Sequence, residues 1–396
     1  LQACDHYHRY REDVALMKKM GLKSYRFSVS WSRILPDGTE KINQKGIEFY
    51  QSLVRELKAA GIEPMVTLYH WDLPYALYLQ GGWKNPQIPD WFAAYTKIVV
   101  EALSDQVQYW MTLNEPQCFV GIGHLQGRHA PFLDEPASLR PVTRHVLLAH
   151  AKAVQTIRQY AKLPPKVGYA PTGPVFSPCG DESEAAIAEA YRRTMEVEGC
   201  YSISWWCDPV LLGRVPEPMA KALGADVFTP QELELLHQPL DYLGFNVYNA
   251  CAAQQPGSEY TANTWQGSPR TAMEWPITPD CIYWAIRFLN QRYGRPILIT
   301  ENGMANTDFV MLDGKVHDLQ RIDYVHRHLL AARRALQEGY PLIGYTYWSI
   351  MDNYEWAEGY SKRFGLIYVD YRTMERIPKD SAAWYAHVIA TNGSEL

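Results

Sequence analysis

The sequence predicts an α/β protein folded as a TIM (β/α)8 barrel. Short runs of β-branched and aromatic residues alternate with amphipathic segments along the whole chain, which is the pattern of a parallel sheet with crossover helices. Several runs end in polar residues, as strands do at the carboxyl-end face of such a barrel. The length of 396 residues fits one barrel with loop insertions, so we expect a single barrel domain over residues 1–396.

The chain supplies seven strand segments and a series of helices. The predicted strands are residues 24–29, 64–70, 108–115, 166–171, 242–248, 297–301 and 343–349. The predicted helices are residues 13–20, 44–60, 91–103, 142–160, 279–293 and 320–338. Gly21, Gly61 and Gly294 each follow a helix, where glycine commonly ends the element. A closed (β/α)8 barrel has one strand more than these seven.

Composition and charge exclude several classes of partner. The formal net charge is −5, with acidic and basic residues interspersed, so neither nucleic acid nor an anionic membrane is an expected partner. The sequence has no apolar run long enough to cross a bilayer. Its seven cysteines form an odd set without a repeated spacing, which indicates free thiols and a cytoplasmic location.

The aromatic residues are biased toward those that carry a polar group. The chain has 13 Trp and 27 Tyr but only 11 Phe. Such side chains suit ligands with both apolar faces and hydroxyls, as sugars have, although tyrosine-rich cores also exist.

Two apolar strands end in a carboxylate, at Glu115 and Glu301. At a barrel mouth, aromatic neighbours exclude water from such a group and raise its pKa. Paired carboxylates that face one cavity are what glycoside hydrolysis requires. The alternative is that each glutamate is a solvated acid at a helix N-terminus. Two glutamates at strand ends, each followed by turn residues, favour the paired site.

Several motifs resemble glycoside hydrolase family 1, the β-glucosidase and 6-phospho-β-glycosidase family. They occur in the order of that family over nearly the whole chain. The matching segments are Tyr25-Arg26-Phe27-Ser28, Tyr69-His70-Trp71-Asp72-Leu73-Pro74, Thr112-Leu113-Asn114-Glu115-Pro116, Ile299-Thr300-Glu301-Asn302-Gly303, the run from Trp348 to Trp356, and Arg363-Phe364-Gly365-Leu366.

This resemblance implies a role for each carboxylate. Glu301 is expected to be the nucleophile and Glu115 the acid/base. Arg26 and Tyr248 are expected to keep Glu301 ionised and oriented, with Asn246 supporting the site near the nucleophile. For Arg26, the alternative is an ion pair within a layer of the barrel.

The resemblance also implies a substrate-binding set. Its members are His70, Trp71, Asn114, Trp348, Glu355, Trp356 and Phe364. His70, Asn114 and Trp356 are expected to bind ring hydroxyls, with Trp348 as an apolar floor beneath the sugar. The alternatives are that Trp348 is plain core and that His70 is a satisfied core histidine.

One position bears on phosphorylated substrates. Glu355 matches the family position where a carboxylate contacts the sugar 4- and 6-hydroxyls, and this charge would repel a 6-phosphate. Lys362 and Arg363 favour the alternative, a 6-phospho-β-glycosidase, because cations hold phosphate. We give Glu355 more weight and expect an unphosphorylated sugar.

No cofactor and no metal are expected. The run from Cys4 to His8 contains potential ligands, but its spacing fits no standard zinc pattern, and a similar run in the family precedes a barrel helix. Cys200 and Cys207 lack a second pair of ligands. The sequence has no glycine-rich phosphate cradle after a strand.

The chain departs from the family at the start of the barrel. The predicted strand 24–29 matches the second strand of the family, so the first strand is missing from the given residues. In the family, this first-strand segment also supplies a glutamine that binds the sugar 3- and 4-hydroxyls. We expect open edges at 24–29 and 343–349, covered by upstream residues, by a neighbouring chain, or by direct pairing of the two strands. Gln117 and Val247 replace a common Trp and Tyr.

The sequence therefore predicts a retaining β-glycosidase, similar to β-glucosidases, that acts on a small-molecule or oligosaccharide β-glycoside. Retention predicts carboxyl groups about 5–5.5 Å apart, against about 6.5–9.5 Å for inversion. Besides the phosphate-specific enzyme, a catalytically impaired sugar-binding barrel is an alternative. The choice among glucose, galactose and fucose depends on variable loops and stays open, as does a homo-oligomer.

Overall fold

The structure is a computed structural model that describes residues 3–178, 182–252 and 268–396. The seven predicted strands are confirmed, with ends that differ by at most two residues. They are β1 Ser24–Ser28, β2 Glu63–Tyr69, β3 Tyr109–Asn114, β4 Lys166–Ala170, β6 Leu243–Asn246, β8 Ile297–Asn302 and β9 Leu342–Tyr347. Four shorter strands lie outside this set: β5 Val175–Ser177, β7 Ala250–Ala252, β10 Ile367–Val369 and β11 Arg376–Pro378.

The seven strands are parallel and form two sheets that meet edge to edge. The first sheet has the order β1-β2-β3-β4 and the second the order β6-β8-β9. Backbone hydrogen bonds join the sheets, from Asp241 N to Val167 O at 2.9 Å and from Asn246 N to Pro171 O at 3.0 Å. The strand order therefore follows the chain order around a barrel, and the carboxyl ends of all seven strands lie at one face.

The barrel is open between β1 and β9, where the missing strand was expected. Among the described residues, no backbone hydrogen bond joins these two strands. A cavity of about 430 Å³ lies between them, lined by Ser24 and Arg26 on one side and Tyr345 and Tyr347 on the other. Most residues of β1 and β9 are half-buried, whereas those of β3 and β8 are almost all buried. Direct pairing of β1 with β9, one of the three expected covers, is therefore wrong.

Helices pack around the sheet and lie between successive strands. Those that match the predicted segments are α1 His6–Lys19, α3 Gln44–Ala59, α5 Ile88–Leu103, α6 Leu139–Tyr160, α11 Cys281–Tyr293 and α12 Leu319–Gln337. The others are α2 Trp31–Ile34, α4 Tyr75–Leu79, α7 Glu184–Met195, α8 Ile203–Leu211, α9 Glu217–Leu223, α10 Pro230–Leu236 and α13 Asp380–Ala390. Gly21, Gly61 and Gly294 follow α1, α3 and α11 with φ of +74°, +76° and +58°.

Helix α1 begins seven residues earlier than the prediction of 13–20. Its first turns carry Tyr7 and Tyr10, whose rings pack against Phe49 of α3 at 4.5 and 5.7 Å. Contact with another helix therefore stabilises these turns, and a polar, histidine-rich run does not reveal such a contact.

Much of the aromatic content belongs to the core. Trp31, Trp83, Trp110, Trp205, Trp206 and Trp284 are among the largest fully buried side chains. Burial of indoles on this scale stabilises the fold through the hydrophobic effect. The composition was therefore only partly a signal of ligand binding.

Two further expectations concern cysteines and membranes. No disulfide links the cysteines within the described ranges, and Cys179 lies outside them. None of the helices in the described part of the chain combines the length and apolar character needed to span a bilayer.

We expect the open edge of β1 to be visible in amide hydrogen exchange. Val29 N donates to Thr67 O, and Lys23 O accepts from Glu63 N, so the alternate residues Arg26 and Ser28 direct their backbone groups toward the cavity. In monomeric protein made of residues 1–396 alone, their amides should exchange at rates near those of exposed loops, while β3 keeps the protection of a central strand. Mass spectrometry at residue resolution measures both strands in one experiment. Equal protection of β1 and β3 would show that the edge is covered.

Candidate active site

Glu115 and Glu301 lie together at the carboxyl-end face of the barrel. Glu115 directly follows β3, and Glu301 is the penultimate residue of β8. Their exposed fractions are 7% and 4%. Both carboxyl groups are therefore largely removed from water, so their immediate partners control their charge.

Glu301 is held by a cation and a hydroxyl. Arg26 Nη1 donates to Oε1 at 2.5 Å, and Tyr248 OH donates to Oε2 at 2.7 Å. Burial and the adjacent carboxylates raise the pKa of Tyr248 well above its usual value, so the phenol remains a donor. Charge-assisted hydrogen bonds on both oxygens stabilise an ionised Glu301 and fix its orientation.

Among the residues that the structure describes, no cation is a hydrogen-bond partner of Glu115. Asn246 Nδ2 donates to Oε1 at 2.7 Å, and the Cys118 thiol donates to Oε2 at 3.1 Å. Burial, followed by the negative charge of Glu301, raises the pKa of Glu115 to about 7. Glu301 thus has a cation and a hydroxyl as partners, whereas Glu115 has an amide and a thiol and a raised pKa.

Asn114 connects the residues between the two carboxyl groups. Its Oδ1 accepts from Arg26 Nη2 at 2.6 Å and from Asn246 Nδ2 at 3.0 Å. Its Nδ2 lies 3.2 Å from Nε2 of His70. Burial lowers the pKa of His70 to about 4, so this imidazole is neutral. Asn114 therefore sets the positions of Arg26, Asn246 and His70 relative to one another.

Asn246 was expected to support the site near Glu301, and its side chain instead donates to Glu115. Its backbone lies opposite Glu301 in the sheet, so the residue is close to both glutamates. Thr300 Oγ1 donates to Asn246 Oδ1 at 2.6 Å, which orients the amide with its nitrogen toward Glu115. Sequence spacing gives the strand of such a residue but not the direction of its amide.

Aromatic rings form the wall next to the carboxyl groups. The ring of His70 stacks with those of Trp348 at 5.8 Å and Trp356 at 6.0 Å. Trp71 lies 5.0 Å from Trp356, and its Nε1 donates to Asn114 O at 3.0 Å. The arrangement offers apolar ring faces beside polar groups, which is what a sugar ring contacts.

Three site residues have left-handed backbone conformations. The φ angles are +82° at Trp71, +42° at Glu115 and +42° at Trp356. Non-glycine residues rarely adopt these angles, and such strain is concentrated at functional sites. A nearby constraint is Gly303, where a Cβ would overlap the carbonyl oxygen of Trp348, so the chain after β8 can approach β9 closely.

Glu355 lies at the same opening on the loop that follows β9. Burial raises its pKa to about 8, and the charges of Glu301 and Glu115 add to the effect. Three carboxyl groups therefore share one region of low dielectric. Their mutual repulsion favours the protonated form of Glu115 and Glu355.

Asp352 anchors this loop from behind. Its carboxylate accepts from Lys379 Nζ at 2.9 Å, from Gly365 N at 2.9 Å and from Arg363 Nη1 at 2.6 Å. Lys362 Nζ donates to Ala272 O at 2.7 Å. Both cations that favoured a phosphate site thus have protein partners.

Phe364 is almost fully buried and lies behind the site. Its ring is 6.2 Å from the rings of both Tyr248 and Trp275. Sequence reasoning missed Trp275, which is 5.1 Å from Tyr248, and Thr67, whose Oγ1 accepts from Arg26 Nε at 3.1 Å. It also missed Cys118. None of the three closes a strand, so the pattern of polar strand ends does not include them.

The two histidines in the run from Cys4 to His8 contact nearby aspartates. His6 Nδ1 lies 2.8 Å from Asp13 Oδ2, and His8 Nδ1 lies 2.6 Å from Asp5 Oδ1. Within residues 3–178, 182–252 and 268–396, no group of three or more His, Cys, Asp or Glu side chains is arranged to hold a metal ion.

Comparisons with known proteins give one consistent result. The model of glycosyl hydrolase family 1 matches residues 2–394. The chain is 42% identical over 400 residues to β-glucosidase A of Thermotoga maritima and 41% identical over 401 residues to β-glucosidase A of Acetivibrio thermocellus, covering 99% of this chain and 88% of each relative. A structure of the Thermotoga maritima β-glucosidase in complex with glucoimidazole matches with a TM-score of 0.89, at 41% identity and the same coverage. The protein that carries this pair of glutamates therefore belongs to glycosyl hydrolase family 1.

Proposed function

We propose that the protein is a retaining β-glucosidase that releases terminal β-linked glucose from short glycosides, with Glu301 as nucleophile and Glu115 as acid/base. The observation that carries this assignment is the difference between the two carboxyl groups. Glu301 accepts from Arg26 and Tyr248, whereas the pKa of Glu115 is raised to about 7. One group is thus suited to attack and the other to donate a proton.

The reaction proceeds in two displacements. Glu301 attacks the anomeric carbon while Glu115 transfers a proton to the departing oxygen, which leaves a covalent glycosyl ester on Glu301. A water molecule then gives a proton to Glu115 and attacks the same carbon, which releases Glu301. The charge of Glu301 contributes to the raised pKa of Glu115. Because the ester is neutral, that contribution disappears, and Glu115 becomes a carboxylate ready to act as base.

The contacts around both carboxyl groups are compatible with one sugar between them. Arg26 joins Glu301 to Asn114, and Asn246 joins Asn114 to Glu115. The separation of about 5–5.5 Å that retention requires stays a prediction.

The proposed sugar subsite consists of His70, Asn114, Trp348, Glu355 and Trp356, with Trp71 beside them. Neutral His70 and protonated Glu355 can each donate and accept hydrogen bonds, as sugar hydroxyls do. Glucose is favoured because solved relatives are β-glucosidases in complex with glucoimidazole and deoxynojirimycin. The engagement of Lys362 and Arg363 by protein groups weakens the phosphate-specific alternative.

We also propose that residues 1–396 form one catalytic domain and that the protein acts in the cytoplasm. The family match over residues 2–394 supports the first point, and the irregular set of cysteines supports the second. Turnover of a chromogenic β-glucoside distinguishes the enzyme from a sugar-binding barrel.

Replacing the nucleophile tests the role of Glu301. Glu301→Ala should lower kcat by about 10⁴-fold or more. Azide should restore turnover by filling the space of the carboxylate, and the product should be the α-glucosyl azide, with inverted configuration. The matched variant Glu115→Ala should instead give the β-glucosyl azide. NMR of the products measures both, and the opposite pattern would mean that the two roles are exchanged.

The pH dependence tests the role of Glu115. It donates only while protonated, so kcat/KM for a glucoside with a poor leaving group should be full below its pKa and fall about tenfold per unit above about pH 7. Glu115→Gln should remove this limb and lower kcat/KM by about 10²–10⁴-fold. A 2,4-dinitrophenyl glucoside, whose leaving group needs no proton, serves as the control. Equal losses on both substrates would contradict the acid role.

Glu355 tests the choice between plain and phosphorylated sugars. Glu355→Ser should lower kcat/KM for a plain β-glucoside by about 10- to 100-fold and raise the relative rate on its 6-phosphate. Glu358→Ser, at an exposed position three residues away, is the matched control. The interpretation of Glu355 is wrong if the unmodified protein already prefers the phosphorylated substrate.

A further inference from the structure

Cys118 contacts the carboxyl group of Glu115 from the segment that follows it. The π-helical segment Gln117–Leu125 begins two residues after Glu115, and its second residue is Cys118. Cys118 N donates to Glu115 O at 2.9 Å, and Cys118 Sγ lies 3.1 Å from Glu115 Oε2. The thiol is therefore fixed relative to the carboxyl group by the backbone as well as by the side chain.

The thiol keeps its proton in these surroundings. Burial, followed by the charges of Glu115 and Glu301, raises the pKa of Cys118 well above its usual value. A neutral S–H is a weak donor and its sulfur a weak acceptor. Cys118 can therefore donate to a carboxylate and accept from a carboxylic acid without changing its own protonation.

The two oxygens of Glu115 have different partners. Asn246 Nδ2 donates to Oε1, and Thr300 fixes the orientation of that amide through Asn246 Oδ1. The unprotonated oxygen of a carboxylic acid accepts an amide N–H more strongly than the hydroxyl oxygen does, so this contact favours Oε1 as the unprotonated oxygen. The proton of the acid form is therefore favoured on Oε2, the oxygen that contacts Cys118.

The other charged and titratable groups near Glu115 do not replace this contact. The carboxyl group of Glu115 interacts through charge with four groups on other elements. They are Glu301 of β8, Arg26 of β1, Tyr248 after β6 and Glu355 after β9. Within the described part of the chain, the side chains that hydrogen-bond to the carboxyl group are those of Asn246 and Cys118. Loss of the thiol would leave Oε2 without a donor when Glu115 is ionised.

We propose that Cys118 is a positioning residue for proton transfer by Glu115. Its S–H holds Oε2 in the carboxylate form, and its sulfur receives the O–H of the acid form until the leaving oxygen takes that proton. The inference rests on the proposed acid/base role of Glu115. Through this contact, Cys118 influences the pKa of Glu115 and the direction of its O–H bond.

The test uses Cys118→Val, which replaces the thiol by a methyl group, and Cys118→Ser, which keeps a donor. Removing a donor to the charged form should raise the alkaline pKa of kcat/KM by about half a pH unit in the valine variant. The serine variant should stay at or below the wild-type value. For a 2,4-dinitrophenyl glucoside, kcat/KM reports the first step alone and should show no alkaline limb from Glu115 in either variant, since that leaving group needs no acid. Cys4→Val, at a thiol whose neighbours are Asp13 and Arg376, is the matched control.

A second measurement does not require turnover. In protein labelled with ¹³C at the glutamate side-chain carboxyl, the signal that disappears in Glu115→Gln reports the titration of Glu115. It should move to higher pH in Cys118→Val and not in Cys118→Ser or Cys4→Val. The inference is overturned if Glu115 titrates at the same pH in the wild type, Cys118→Val, Cys118→Ser and Cys4→Val. It is also overturned if the titration of Glu115 shifts in Cys118→Ser as it does in Cys118→Val. An inactive wild type that still shows the valine shift would overturn the proposed function and leave the contact with Glu115 established.

Discussion

The ion pair between Arg26 and Glu301 is the interaction on which the site depends. It joins the edge strand β1 to β8 across the barrel, and both side chains are only 6% exposed. Removing one partner from such a pair costs about 3–5 kcal/mol, because the other charge stays buried without compensation. Arg26 also donates to Asn114 and Thr67, so it sets the positions of β1, β2, β3 and β8 at once. The same ion pair therefore balances the charge of Glu301 and sets the relative positions of the strands at the barrel mouth.

The different behaviour of the two glutamates follows from this pair. Because Arg26 is engaged by Glu301 and Asn114, Glu115 is left with an amide and a thiol as its hydrogen-bond partners. Burial and the charge of Glu301 then raise the pKa of Glu115, and the same two causes raise that of Glu355. A single guanidinium among three neighbouring carboxyl groups thus stabilises one as an anion and leaves two with a raised pKa.

The sequence was sufficient for the strands and for the two glutamates because both depend on local patterns. Apolar runs bounded by turn residues identified the seven strands, and parallel strands bring their carboxyl ends to one face, so Glu115 and Glu301 had to be near each other. The side-chain partners depend on directions that spacing does not encode. The amide of Asn246 points to Glu115 because Thr300 holds its oxygen, and Cys118 reaches Glu115 because a π-helical segment begins there. Helix α1 begins early because of its contacts with Phe49.

The opening beside β1 explains why the contacts of Arg26 extend across the barrel. A barrel strand is normally held by hydrogen bonds on both edges, but among the described residues β1 pairs with β2 alone. Side-chain contacts to Thr67, Asn114 and Glu301 replace part of the missing constraint. The same contacts hold the guanidinium in place although the cavity between β1 and β9 reaches it. Arg26 lines this cavity and donates to the carboxylate of Glu301, so its side chain links the cavity to the nucleophile.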